Sequence, residues 1–195
     1  ADFPTPLLPL ELRPYVEGQA LLNGSALCGG RAYAFLEKFF RAYLDTGEEQ
    51  YEKLNALAET ALKSGEVLKV RTTFCGTRKD PSIRGTIENI GEENFTPAAL
   101  ARGVLEGMVD ELYDMYEKSG VTMRGRLVAS GNAVQKNPTL CKLLSERFGM
   151  PLFLPALREE AAFGASLAAA HFALALPLNE VKSCIPYHPE NPDKK

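Results

Sequence analysis

The sequence predicts an α/β fold, and three observations carry that prediction. Apolar residues recur at helical spacing over several long segments, short β-branched and aromatic runs lie between them, and strand, helix and strand alternate in the last third. A strand, a helix and a second strand in close succession imply a parallel crossover, which is right-handed almost without exception.

Taken in order, Phe3 to Pro9 holds three prolines and cannot pair in a central strand, so residues 1–9 read as a lead-in linker. Leu10 to Asn23 alternates loosely and contains Gly18 and Asn23-Gly24 as turn formers, which fits a strand pair. After Gly29-Gly30, the set Ala32, Phe35, Leu36, Phe39, Phe40, Tyr43 and Leu44 predicts a helix with one strongly apolar face, ending near Gly47. A second amphipathic helix carries Tyr51, Leu54, Leu57, Ala58, Ala61 and Leu62 and stops at Gly65, suited to a left-handed C-terminal position. Val67 to Phe74 reads as a short buried strand, Gly76 to Pro81 as a turn, and Gly85 to Ile90 as another strand. Thr96-Pro97 opens the longest helix, with threonine as N-cap and Leu100, Val104, Leu105, Met108, Leu112 and Met115 as its apolar set. Leu127-Val128-Ala129 is a brief buried strand, and Ser130 to Ala133 turns the chain into a helix over Pro138 to Phe148. Pro151 to Leu154 is the next strand. Glu159 to Leu174 is an alanine-rich helix whose small residues permit close packing. Residues 10–176 thus form one domain, and 177–195, with Pro177, Pro186, Pro189 and Pro192 and a Lys194-Lys195 end, read as a partly disordered tail.

Composition narrows the partners. The chain has 195 residues, 45% hydrophobic and 24% charged, with a net charge of −3, so bulk electrostatics draws it neither to nucleic acid nor to an anionic membrane. A small polar ligand is the expected partner. Cys28, Cys75, Cys141 and Cys184 make no CxxC or CxxH spacing and read as reduced cysteines of a cytosolic protein. No apolar run approaches the ~20 residues that span a bilayer. The opening on Ala1 rather than methionine predicts upstream sequence.

The informative segment runs from Leu127 to Pro138. Small residues directly after a strand let a ligand approach the backbone, and the start of the following helix offers unpaired N–H groups. Such a turn can cradle a nucleotide. Asn137 has a side-chain amide placed either to read an adenine edge or to cap the helix. Equally, Gly131 and Asn137 can do no more than make a turn and an N-cap.

Four blocks extend this reading. The segment SGNAVQKNPTLCKLLSERFGMPL, followed by REEAAFGASLAAA, resembles the end of the FGGY-type carbohydrate kinases. Glu160-Ala161-Ala162-Phe163-Gly164-Ala165-Ser166 is similar to the family's "EAAxxGAA" helix. Upstream, TTFCGTRKDPSIRGTIENI and ALARGVLEGMVDELYDMY resemble its "GxRxPxxxxxxRGxxxGL" and "RAxxEGxAxxL" segments. The aromatic-rich opening and the SGNA form of the turn are most like the sedoheptulokinase branch. The resemblance implies an actin-like (ribonuclease H-like) ATPase domain, the C-terminal half of a sugar kinase lacking its first strands. It implies ATP and Mg2+ as cofactors, a sugar or polyol substrate phosphorylated on a primary hydroxyl, and an N-terminal domain, absent from this chain, that carries the catalytic aspartate. Gly131, Asn132 and Ala133 would then line the adenosine and α-phosphate side of ATP, and Asn137 would approach the base. Asn132 stands where many relatives have a third glycine, which narrows the pocket. The Glu160 helix would pack behind the turn, with Gly164 allowing close approach. No catalytic or metal-binding residue is implied on this chain, which alone would be inactive and poorly soluble, with apolar surface meant for its partner domain exposed. A non-catalytic nucleotide-binding or scaffold protein with the same half fold is the contrasting reading.

Other polar residues have bland readings beside functional ones. Arg78, Asp80 and Arg84 suggest an anion site or a solvated loop with weak ion pairs. Arg102 and Glu106 are spaced to pair along one helix. His171 and His188 lack partners for a metal site or triad, and neither Ser130 nor Cys28 has a nearby base in sequence.

Overall fold

The computed structural model describes residues 10–15, 19–65, 68–121, 125–157, 159–174 and 184–186. The expected lead-in linker and most of the expected tail lie outside them. The chain forms two compact units, one of residues 1–13 and 21–122, the other of residues 14–20 and 123–195.

Strands β1 (Leu10–Pro14) and β2 (Ala20–Gly24) make a two-stranded sheet that belongs to the first unit except for Pro14 and Ala20. Helices α1 (Arg31–Tyr43) and α2 (Tyr51–Ser64) follow, then β3 (Lys69–Arg71), β4 (Thr86–Glu88) and the long α3 (Pro97–Lys118). Strands β3 and β4 pair antiparallel, Val70 opposite Ile87. The expected buried strand is buried on one face only. Leu68, Val70 and Thr72 point inward, whereas Lys69 and Arg71 point out and reach Glu88 at 3.7 and 3.3 Å, because successive side chains alternate across a strand.

Helix α3 is the centre of this unit and packs on α1, α2 and β3. Its start follows the sequence: Thr96 Oγ1 accepts from Ala99 N at 3.0 Å and Pro97 occupies the first turn. Two glycines one turn apart set how closely it lies on the strand. A Cβ on Gly103 would meet the Leu68 carbonyl oxygen at 2.7 Å, and one on Gly107 the Val70 carbonyl oxygen at 2.1 Å. Backbone therefore rests on backbone, with Ala99, Ala101 and Leu105 buried around the contact. The pair of Arg102 and Glu106 is present at 2.7 Å, and Arg102 Nη1 also donates to the Ala61 carbonyl at 3.0 Å, placing a cation at the C-terminal end of α2.

Helix α1 presents a different face from the one its aromatic spacing predicts. Ala32, Tyr33, Leu36 and Glu37 are buried, whereas Phe35 is 60% and Tyr43 80% exposed. Partners explain the rotation. Tyr33 donates to Asn55 Oδ1 at 3.1 Å, and Glu37 Oε1 accepts from the N–H of Gln50, the N-cap of α2, at 3.0 Å. A carboxylate at a helix start is favoured by the helix dipole. The helix also ends earlier than expected, at Tyr43 with Leu44 as C-cap. In α3, Leu112 is exposed rather than part of the buried set.

In the second unit, β5 (Leu127–Val128), the one-turn α4 (Asn132–Gln135), α5 (Pro138–Phe148), β6 (Leu152–Pro155), α6 (Glu160–Leu174) and β7 (Cys184–Pro186) follow in order. Strands β5 and β6 are parallel, Leu127 opposite Leu152, as the strand, helix, strand order predicts. Strand β7 pairs antiparallel with β6, Ile185 opposite Leu154, so three residues of the expected tail extend the sheet. Its proline, Pro186, ends the strand where a missing N–H costs least. Strand β5 is less buried than expected, with Val128 exposed and Arg126 lying 4.8 Å from the Phe153 ring centroid.

Two glycine substitutions separate close packing from open helix surface. Gly107→Ala drives a Cβ into the Val70 carbonyl and should destabilise the protein by about 1–3 kcal/mol despite the better helix propensity of alanine. Gly164→Ala has nothing within 4 Å of the new Cβ and should stabilise by about 0.5–1 kcal/mol. Urea unfolding of the two variants measures both signs; equal small effects would contradict the close contact.

Candidate functional site

The turn that joins β5 to α5 is built from a short ladder and two helix starts. Beyond β5 the ladder continues with Ala129 N donating to the Phe153 carbonyl at 3.0 Å. Gly131 then takes φ 98° and ψ 165°, a conformation that favours glycine. That lets the chain reverse into α4, whose Gln135 N–H donates to the Gly131 carbonyl at 3.3 Å and whose following Lys136 N–H donates to that of Asn132 at 3.1 Å. Asn132 itself is helical. Among the described residues only Asp45 and Asn89 combine a side chain with positive φ, so the left-handed demand falls on Gly131 alone.

The four candidate residues divide into two groups. Asn132 and Ala133 are exposed and Gly131 half-buried, and a Cβ built on Gly131 would meet no atom within 4 Å. They form one open stretch of backbone. Asn137 lies elsewhere: it is 4% exposed and is the N-cap of α5, its Oδ1 accepting from Leu140 N at 3.0 Å. Pro138 fills the first position of that helix, and Gly149 in the left-handed region closes it. Of the two roles open to Asn137 from sequence, the structure shows the cap.

Inner contacts hold the turn in place. Val134 is buried beneath it, and the Cys141 thiol donates to the Val134 carbonyl at 3.1 Å. Burial pushes the Cys141 thiol up to about 12, so it stays protonated as a small packing group. Gln135 Nε2 donates to Glu160 Oε1 at 3.0 Å, linking α4 to the first turn of α6. The expected close approach through Gly164 does not occur, since nothing lies near its would-be Cβ and no residue of α6 is buried. The link from this helix to the turn is a side-chain hydrogen bond rather than small-residue packing, and a hydrogen bond between distant residues leaves no periodic trace in sequence.

The other clusters weighed from sequence resolve locally. Asp80 Oδ1 accepts from Ser82 N at 2.8 Å and Ser82 Oγ at 2.6 Å, which holds its carboxyl below the usual range, while Arg84 Nη1 donates to the Pro81 and Ile83 carbonyls, both at 2.8 Å. Arg78 pairs with Glu11. The loop thus holds Asp80 and Arg84 itself, while Arg78 is held by β1. A cleft of about 410 Å³ in the first unit is lined by Cys28, Arg31, Phe35, Phe74, Cys75, Arg84 and Gly85. Phe35 and Phe74 lie 5.2 Å apart along it, and Gly85 has no room for a side chain beside Phe74. Sequence gave no signal for this cleft, because its residues come from segments distant in the chain. Among the described residues no helix is long and apolar enough to cross a membrane, and no three His, Cys, Asp or Glu side chains gather as a metal site.

Comparison with known proteins places this arrangement. Residues 4–173 match the C-terminal domain of the FGGY family of carbohydrate kinases. No curated protein matches the chain. Among solved structures, the fold is similar to a gluconate kinase from Lactobacillus acidophilus with a TM-score of 0.76 at 19% identity, covering 92% of this chain and 37% of that one. It is also similar to a xylulose kinase from Rhodospirillum rubrum, at 0.73 and 22%, covering 93% and 37%. A glycerol kinase from Plasmodium falciparum, solved with ADP, matches at 0.63 and 18%, covering 81% and 31%. The chain thus spans about a third of the length of the structures it matches. With most of its length inside the matched region and an α/β, actin-like architecture, this chain belongs to the FGGY family of carbohydrate kinases, as its C-terminal domain.

Proposed function

We propose that this chain supplies the adenosine-binding half of an ATP-dependent sugar kinase of the sedoheptulokinase kind, a cytoplasmic enzyme that phosphorylates a primary hydroxyl of a ketose or polyol. The observation that carries the reading is the open backbone at Gly131. The space a side chain would take is open here, as it is at other glycines such as Gly65 and Gly164, but at Gly131 it lies in the turn between strand β5 and the starts of α4 and α5. The half-exposed turn leaves the main chain within reach of a ligand.

In this reading Gly131, Asn132 and Ala133 lie against the adenosine and α-phosphate. Asn137 acts on the base side by fixing, through its cap on α5, the direction in which the turn leaves the sheet. Magnesium would neutralise charge on the transferring phosphoryl group. By resemblance to the family, the aspartate that takes the sugar hydroxyl proton is assigned to the N-terminal domain. The chain by itself should give no turnover.

Ala133→Glu tests the surface without straining the backbone, since Ala133 is exposed on α4. In the kinase containing this chain it should raise KM for ATP about tenfold or more, a loss of ~1.4 kcal/mol, with the melting temperature unchanged. An unaltered KM would remove the turn from the nucleotide site. Substrate class is read separately, from ADP release by the wild-type enzyme with sedoheptulose, xylulose, glycerol and gluconate. Sedoheptulose should give the highest kcat/KM; a strong preference for gluconate or glycerol would contradict the branch assignment, and ADP release with none of them would remove the kinase reading.

A further inference from the structure

Two cysteines meet at the cleft of the first unit. Cys28, just before α1, is 5% exposed, and Cys75, in the turn after β3, is exposed. Their sulfurs lie 3.7 Å apart, the Cys75 thiol directed at Cys28 Sγ. Both ends are anchored. The Cys28 carbonyl accepts from Arg31 N at 2.9 Å, fixing it to the first turn of α1. The Cys75 turn is closed by Gly76 N donating to the Thr73 carbonyl at 3.0 Å, and Gly76, at φ 76°, has the Pro81 backbone where its side chain would be. Neither thiol can drift far from the other.

We propose that Cys28 and Cys75 form a thiol–disulfide site: a small-molecule disulfide entering by the cleft converts them to an intramolecular disulfide that ties the start of α1 to the loop after β3. The exposed residue reacts first. The Cys75 sulfur, after losing its proton, attacks one sulfur of the external disulfide; that S–S bond breaks and one small thiol leaves with the proton. Cys28 then attacks the Cys75 sulfur of the mixed disulfide, its proton passing to the second departing thiol. Two protein thiols are oxidised and one external disulfide is reduced to two thiols, so atoms and electrons balance. The order follows from burial, which is the main cause that pushes the Cys28 thiol up to about 11; the charges of Cys75 and Glu111 add to the rise, and Arg31 opposes it. As a poor initial nucleophile but a close neighbour, Cys28 suits the resolving position. Such switchable pairs are the form that disulfides take in reducing compartments.

The experiment treats the full chain with glutathione disulfide, quenches with N-ethylmaleimide under denaturing conditions, and maps the four cysteines by peptide mass. The proposal predicts a Cys28–Cys75 cross-linked peptide, lighter by two hydrogens, reversed by dithiothreitol, with Cys141 alkylated in full. The oxidised chain should melt several degrees higher, because a cross-link restricts the unfolded state. Cys28→Ser should instead accumulate glutathione on Cys75 and show no rise in melting temperature. Wild type that keeps glutathione on Cys75 while Cys28 is alkylated would overturn the proposal, as would a cross-link to Cys141 or Cys184. Should Cys28→Ser fail to fold, Cys75→Ser gives the same decision, since it should leave Cys28 unmodified by glutathione disulfide, and modified Cys28 would count against the assigned order.

Discussion

The first unit depends on one constraint, the contact of α3 with β3 through Gly103 and Gly107. A helix normally meets a sheet through side chains, but here the strand carbonyls of Leu68 and Val70 occupy the space where the helix would carry Cβ atoms. That places Val104, Leu105 and Met108 deep in the unit and brings Arg102 to the end of α2. It also brings Thr72 Oγ1 to donate to Glu111 Oε2 at 3.1 Å. The two ends of α2 also find partners, in Glu37 of α1 at its start and Arg102 of α3 at its end, side chains of opposite charge placed as the helix dipole favours.

The second unit uses glycine in the opposite way. Gly131 makes room for nothing in the chain itself; it turns the backbone and leaves a surface open. Val134, Cys141 and the Asn137 cap fix the inner side of that turn, and Gln135 ties it to Glu160. A surface that is rigid beneath and bare above is what a ligand needs if ordering it is to cost little on binding. The family to which the chain belongs and the open turn together support the proposed nucleotide-binding role of this domain.

How much of this could be read in advance varied with the range of the interactions. The long helix was legible to its first residue, because Thr96 and Pro97 act within one turn of each other. The existence of α1 was legible but its buried face was not: spacing favoured Phe35 and Phe39, and only the tertiary partners of Tyr33 and Glu37 turn the helix the other way. Spacing could not show that Gly107 is a contact with a strand and Gly164 is not, since both occur in small-residue helices. Strand β7 escaped because three residues among prolines carry no periodic signal and are ordered by pairing with β6. For the site, the turn and its glycine were legible from strand, small residues and helix in succession. The choice between two roles for Asn137 was not, and the neighbourhood of Cys28 and Cys75 left no trace in a sequence where they stand far apart.

Amide hydrogen exchange across residues 130–136, in the kinase containing this chain with and without a non-hydrolysable ATP analogue, addresses the proposed nucleotide surface most directly. The account predicts slower exchange from Gly131 to Gln135 when the analogue is bound. Exchange unchanged over this stretch at saturating analogue would contradict it.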